Sequence, residues 1–316
     1  MLNVGQGWMQ TRIDMKTIKQ FVNDNIETYK VTKQVPYIFA VLVPFHILSL
    51  YGLYLGLQDW HWMYAVYFFI GWILLGGLGA AVGLHRWISH KSIEIRPFVR
   101  PIMHWLMVCS CQGSAIWWAA LHRGYHHAQA DREKDIHSPI HGFWHAWQGW
   151  MWGIRHDSVN LKYAVDSLRD KSLIWHHKHY NKIIWVTFAV LLAIDPMIAF
   201  WLFVIPAMWA LHTDSAVNTF CHLPWAGYRL YATKDQSVNV PLVGWFGWGQ
   251  GWHNNHHRRP ASFDFGTSVS GKWWEFDPCL LLVPLVSPWN EVKRLWGEWY
   301  QGVGGNNSAK DQLEGV

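Results

Sequence analysis

The stretch "VPYIFAVLVPFHILSLYGLYLGLQDWHWMYAVYFFIGWILLGGLGAAVGL", Val35 to Leu84, decides the fold. It contains two apolar runs, Val35 to Leu57 and Trp62 to Leu84. Each is long enough, at about 1.5 Å per helical residue, to cross a hydrocarbon core of about 30 Å. Gln58 to His61 leaves room only for a tight turn between them. Further along, Ile183 to Cys221 is apolar again and Asp195-Pro196 divides it into two shorter passes. Ile183 to Ile194 alone is too short to cross, so that helix is expected to begin upstream near Trp175, with Lys178 and Lys182 reaching for the interface. The expected passes are therefore 35–57, 62–84, 175–195 and 197–220. Phe98 to Leu121 is also apolar, but it carries His104, Gln112 and Gly113. A crossing there would put the flanking histidines on opposite membrane faces, so it is expected to be buried in protein or to lie at the interface.

Composition agrees with a membrane protein. Of the 316 residues 51% are hydrophobic and only 15% charged, and the 25 tryptophans suit a chain with aromatic side chains at headgroup level. The net charge of +5 forms no nucleic-acid-like stripe, so no nucleic-acid partner is expected. Of the 26 Lys and Arg residues, 5 precede the first pass, 13 lie from Arg86 to Lys182 and 8 from Arg229 to Lys310. The two opposite turns carry none. By the positive-inside tendency both termini and the middle segment face the cytoplasm. No cleavable signal is expected in the polar Met1 to Asn25, and four cysteines without a Cys-x-x-Cys pair fit a reduced compartment. The expected organisation is a cytoplasmic N-terminal segment 1–34, a main domain 35–301 with cytoplasmic catalytic parts 85–174 and 221–301, and a disordered polar tail 302–316.

Chemistry is concentrated in three histidine clusters, all on the expected cytoplasmic face: "HRWISH" (His85, His90), "HRGYHH" (His122, His126, His127) and "GWHNNHH" (His253, His256, His257). In the last, positions i, i+3 and i+4 share one side of a helix. Neutral imidazole ligates iron, zinc, copper and nickel, and eight nitrogens exceed the needs of one ion. Two metals sharing them is the economical reading. A single histidine is more often a hydrogen-bonded or surface residue, and that plainer role is assigned to His137, His141, His145, His176, His177 and His179. The expected fold is an all-α integral membrane protein, four transmembrane helices under a cytoplasmic helical cap with a di-metal site. The second pass feeds into His85, so its stripe Leu74, Gly77, Leu78 and Ala81 is expected to line a tunnel below the metals. Close helix packing at Gly77 is the competing reading.

The three clusters resemble the histidine boxes of membrane fatty acyl desaturases, particularly the stearoyl-type enzymes acting at carbon nine. The resemblance extends through "DIHSPIHGFW", "GWMWGIRHD" and "VNTFCHLPWAGYRLYATKDQSVNVPLVGWF", and covers about Val35 to Trp296. It implies a further ligand in His222, Asn218 reaching a metal through water, tunnel residues Gln112 and Trp118, and Arg155 near the polar end of the substrate. It also implies two iron ions, with zinc acceptable to the same donors, and O2 with two electrons to remove two hydrogens from a saturated acyl chain carried by lipid or CoA. No cytochrome-like segment follows the catalytic region, so a separate donor of ferredoxin or cytochrome b5 type is expected.

The sequence departs from the family pattern in three places. The second box carries an extra residue, which on an α-helix would set His127 about 140° from His122. A π-bulge around Gly124 and Tyr125 would absorb it. Ala120 and Leu121 stand where acyl-CoA enzymes of the family carry Arg-Asp, which favours an acyl-lipid substrate. Gln250 replaces a Glu common before the third box. Two other functions compete: hydroxylation by the same iron chemistry, separable by whether the product is an alkene or an alcohol, and a membrane metal transporter, which predicts more ionisable groups within the passes.

Overall fold

The computed structural model describes residues 15–154 and 158–304. Among them regular structure is helical, and strand pairing is limited to the isolated bridges Tyr228 to Asn239 and Asn239 to Trp252. The helices used below are α1 (Met15–Thr32), α2 (Ile38–Gln58), α3 (Trp62–His90), α4 (Arg100–Cys109), α5 (Ala115–Leu121), α6 (Lys171–Lys178), α7 (Tyr180–Ile194), α8 (Pro196–Phe220), α9 (Pro241–Phe246), α10 (His253–Arg258) and α11 (Trp289–Val303).

Three helices, α2, α3 and α8, are long and apolar enough to cross a membrane, and α7 is a shorter apolar helix. At 15 residues α7 is about 22 Å long. It does not continue upstream as a single rod. His179, at φ −108° and ψ 16°, separates it from α6, although Ile183 N–H still bonds the His179 carbonyl. The Asp195-Pro196 junction behaves as its chemistry dictates. Asp195 Oδ1 accepts from the N–H groups of Met197 and Ile198, and proline occupies the first turn, where no N–H is needed. His61 caps α3 in the same way through the N–H of Met63.

Phe98 to Leu121 does not form one spanning helix. It breaks between α4 and α5, where Cys111 (φ 60°) and Gly113 (φ 92°) take left-handed conformations. α4 is amphipathic: Met103, Leu106 and Met107 are buried, while Phe98, just before the helix, and Ile102 lie exposed on the other side. The N-terminal segment holds α1, whose Phe21 packs beside Trp152. At the other end α11 runs to Val303, so the start of the expected tail is helical, and 305–316 lies outside the described residues.

α3 is the central element. It packs against α4, α5 and α8, and its second half, Trp72–His90, is wound in π turns. It ends at Lys91, which turns left-handed at φ 54° and returns its N–H to the Arg86 carbonyl. A π turn brings residues five apart into register. His85 and His90 are five apart, and so are His122 and His127, which lie on the π-wound continuation of α5.

Candidate metal centre

The π winding brings the first two histidine clusters to one point. His122–His127 forms π turns, as the inserted residue requires. The Tyr163 ring lies directly over Gly124, where a side chain would collide with it. Arg123 ties the segment to the end of α3, donating to the Ser89 carbonyl at 2.7 Å and pairing with Asp166 at 2.7 Å.

The third cluster is fixed from a distance. The residue before α10 offers no side-chain cap, so Asn239 supplies one, its Oδ1 accepting from the N–H groups of Asn254 (2.9 Å) and Asn255 (3.2 Å). The two asparagines between the histidines are fully buried pins. Asn254 Oδ1 accepts from the N–H groups of Leu230 and Tyr231, and Asn255 Nδ2 donates to Glu275 at 2.6 Å.

Nine imidazoles converge in two groups. His85, His90, His122, His127 and His256 form one, and His126, His222, His253 and His257 the other. Within the first, Nε2 atoms face one another at 3.0 Å (His85 and His256), 2.9 Å (His90 and His122) and 3.0 Å (His127 and His256). In the second the separations are 2.9 Å (His222 and His253) and 3.3 Å (His126 to His253 and to His257). Nitrogens about 2.0–2.1 Å from a shared ion at right or tetrahedral angles stand about 2.9–3.4 Å apart, so the donor set fits one metal in each group. Without a cation, that many inward lone pairs would repel.

The outer face of the rings explains why the lone pairs point inward. His85 Nδ1 bonds Gln250 Oε1 at 2.8 Å, His222 Nδ1 bonds Asp131 at 2.9 Å, His257 Nδ1 bonds Asp235 at 2.8 Å and His253 Nδ1 faces the Gln250 carbonyl at 3.2 Å. Asp135 lies 3.5 Å from His126 Nδ1 and 2.8 Å from His137 Nδ1. An acceptor on Nδ1 places the proton there and leaves Nε2 free to ligate. Burial, reinforced by neighbouring imidazoles, holds His122, His127, His253 and His256 well below the usual histidine range. Burial takes His126 down to about 3 despite Asp135. His222 is the exception: burial opposes its charge, but the Asp131 carboxylate lifts it.

A small cavity of about 70 Å³ opens beside the imidazoles. Its lining includes His85, His122, Gln112, Trp118, Leu121 and Asn218, and Trp118 stacks on His122 at 4.7 Å. Arg155 lies outside the described residues. The expected stripe on α3 does not line this cavity, which is a correction. Gly77 faces Trp248 and Leu282, and a Cβ there would lie 2.7 Å from Leu282 Cδ1. Leu78 and Ala81 are buried in the core, with Leu74 packed against it. Winding and packing both contribute: π turns rotate Leu78 and Leu74, seven and eleven residues before His85, away from its face, Trp248 and Leu282 cover Gly77, and the space beside the histidines lies against α5 and α8. Gly77 thus serves close packing. Gly77→Phe is expected to cost about 1–3 kcal/mol by overpacking, read as a lower unfolding midpoint.

Sequence reasoning missed the carboxylates Asp131, Asp135 and Asp235. A signal existed in their spacing from the boxes, but nothing local distinguishes them from surface acids.

No family model matches the chain. Curated relatives do. The sn-1 stearoyl-lipid 9-desaturase of Anabaena variabilis is 30% identical over 226 residues, 68% of this chain and 77% of that protein. The sn-2 palmitoyl-lipid 9-desaturase of Nostoc sp. (strain 36) is 29% identical over 74% of this chain and 82% of its own. Delta-9 acyl-lipid desaturase 2 of Arabidopsis thaliana is 30% identical over 64% of this chain. The chain belongs to the membrane fatty acyl desaturase family. It spans 65% and 66% of the lengths of the two Arabidopsis delta-9 acyl-lipid desaturases.

Proposed function

We propose that the protein is an O2-dependent desaturase that introduces a cis double bond, at carbon nine, into a saturated acyl chain carried by a membrane lipid. The observation that carries this reading is the pair of imidazole groups beside a largely apolar cavity. The relatives include both acyl-lipid and acyl-CoA desaturases; the absence of the Arg-Asp pair at Ala120 and Leu121 favours lipid over CoA as carrier. Two iron ions, when bound, supply with O2 and two electrons the oxidising power that an unactivated alkyl chain demands. His85, His90, His122, His127 and His256 would hold one ion, and His126, His222, His253 and His257 the other, with Asn218 approaching through water. Trp118 and Leu121 exclude bulk water and orient the chain. Gln112 lies on the same wall.

The membrane arrangement that fits is four passes, α2, α3, α7 and α8, with a cytoplasmic cap holding the metals and both termini on that side. Electrons then come from a separate ferredoxin or cytochrome b5 type protein. Expression in a host lacking the corresponding unsaturated lipids, with analysis of its acyl chains, tests the reading. A cis alkene at carbon nine is expected. An alcohol would transfer the assignment to hydroxylation.

The carboxylates behind the ligands give a second test. Asp235→Asn keeps a hydrogen-bonding side chain beside His257 Nδ1 but removes the charge, and is expected to lower metal affinity about 10–100-fold. The chelator concentration that strips half the metal reads this directly, and an unchanged value would remove Asp235 from the site.

A further inference from the structure

The cavity that would take a hydrocarbon is more polar than a hydrocarbon needs. Gln112, Trp150 and Asp214 all line it, and each leaves one buried polar atom without a hydrogen-bond partner: Nε2, Nε1 and Oδ2 respectively. Asp214 is tied into the metal centre. Its Oδ1 accepts from Gln250 Nε2 at 2.6 Å, and Gln250 Oε1 bonds His85 Nδ1 at 2.8 Å. The Gln112 amide lies next to the Asp214 carboxylate, but its Nε2 closes no hydrogen bond of normal geometry. A carboxylate oxygen thus stands one amide away from a candidate ligand, in the wall that the reacting part of the chain must touch.

A plain alkyl chain there would strip any water from these atoms and give nothing back, which is costly for amides and indoles and more so for a carboxylate. A hydroxyl donates one hydrogen bond and accepts others. It can donate to Asp214 Oδ2 while accepting from Gln112 Nε2 or Trp150 Nε1. We infer that Asp214, with Gln112 and Trp150, forms a specificity subsite for an acyl chain that bears a hydroxyl group within a few carbons of the pair that is oxidised. The inference rests on the acyl-chain reading above and narrows its substrate class.

The test uses the iron-loaded full chain in lipid nanodiscs, with stearoyl phosphatidylcholine and its positional hydroxystearoyl analogues as probes. Binding is read from the shift of the unfolding midpoint and from competition, separately from turnover. One hydroxyl position is expected to bind about tenfold to a hundredfold more tightly than the unsubstituted chain, the worth of a hydrogen bond to a charged group. Asp214→Leu should abolish that preference and bind the stearoyl probe at least as well as before. Asp214→Asn, which keeps the cavity shape, should weaken the preference severalfold and serves if the leucine variant does not fold. Equal binding of all probes by the native protein, or a preference that survives both substitutions, overturns the subsite. An intact binding preference with no alkene from any probe supports the subsite and counts against the desaturase reading.

Discussion

Replacing His256 with alanine is expected to reduce alkene formation to less than about 1% of the native level, a loss of more than about 2.7 kcal/mol of barrier lowering. His256 is fully buried, and its Nε2 stands 3.0 Å from both His85 Nε2 and His127 Nε2. It is the nitrogen shared by two of the three close Nε2 contacts within the five-membered group, so its removal opens the middle of that donor set. Phe265, 4.0 Å from the His256 ring, holds it in place and would not replace it as a ligand. Bound metal should fall from two ions per chain toward one, because the other four imidazoles keep their own partners. His145→Ala is the control: His145 Nε2 bonds the Ile136 carbonyl, away from both groups, and turnover should stay within about twofold, as for surface changes generally. A His256 variant with normal metal content and normal alkene output would end the two-ion assignment.

Histidine positions were readable because local spacing encodes them. His253, His256 and His257 sit on one short α-helix, and the two five-residue intervals, His85 to His90 and His122 to His127, converge once the backbone is wound in π turns. The inserted residue in the second box announced that winding. Nothing equally local announces it in α3, where an α-helical period aligns Leu74 and Leu78 with His85 and π winding separates them. Gly77 is closed off by Trp248 and Leu282, which are distant in sequence. The same distance hides the supports of the third box. Asn239 caps α10 from the loop before α9, and Asp131 and Asp235 reach His222 and His257 from separate segments. Loop acids acquire meaning only through tertiary contact, so one sequence read alone cannot select them.

The other large effect lies directly behind the first box. Arg86 and Asp277 form a salt bridge at 2.7 Å with both side chains fully buried. The guanidinium also donates to the carbonyls of Phe263 (2.8 Å) and Ala81 (3.0 Å) and lies 3.9 Å from the centre of the Phe265 ring. Asp277 in turn accepts from the N–H groups of Phe265 and Cys279, both at 3.0 Å. Taking two charges out of water costs more than their attraction returns unless such additional bonds exist, and removing one partner leaves the other charge stranded. Asp277→Ala is therefore expected to destabilise the fold by about 3–5 kcal/mol, read as a lower unfolding midpoint in detergent. Phe265 touches both His85 (5.2 Å between ring centres) and His256, so the variant should also lose metal more readily than its stability alone would dictate. Replacing both partners together, Arg86→Met with Asp277→Leu, removes the stranded charge and should recover a large part of the lost stability. Recovery of the midpoint without recovery of metal affinity would identify the pair as the mount for Phe265. An Asp277→Ala cost of less than about 1 kcal/mol would show that water or another acid reaches the Arg86 guanidinium, and that the first box is held by its backbone alone.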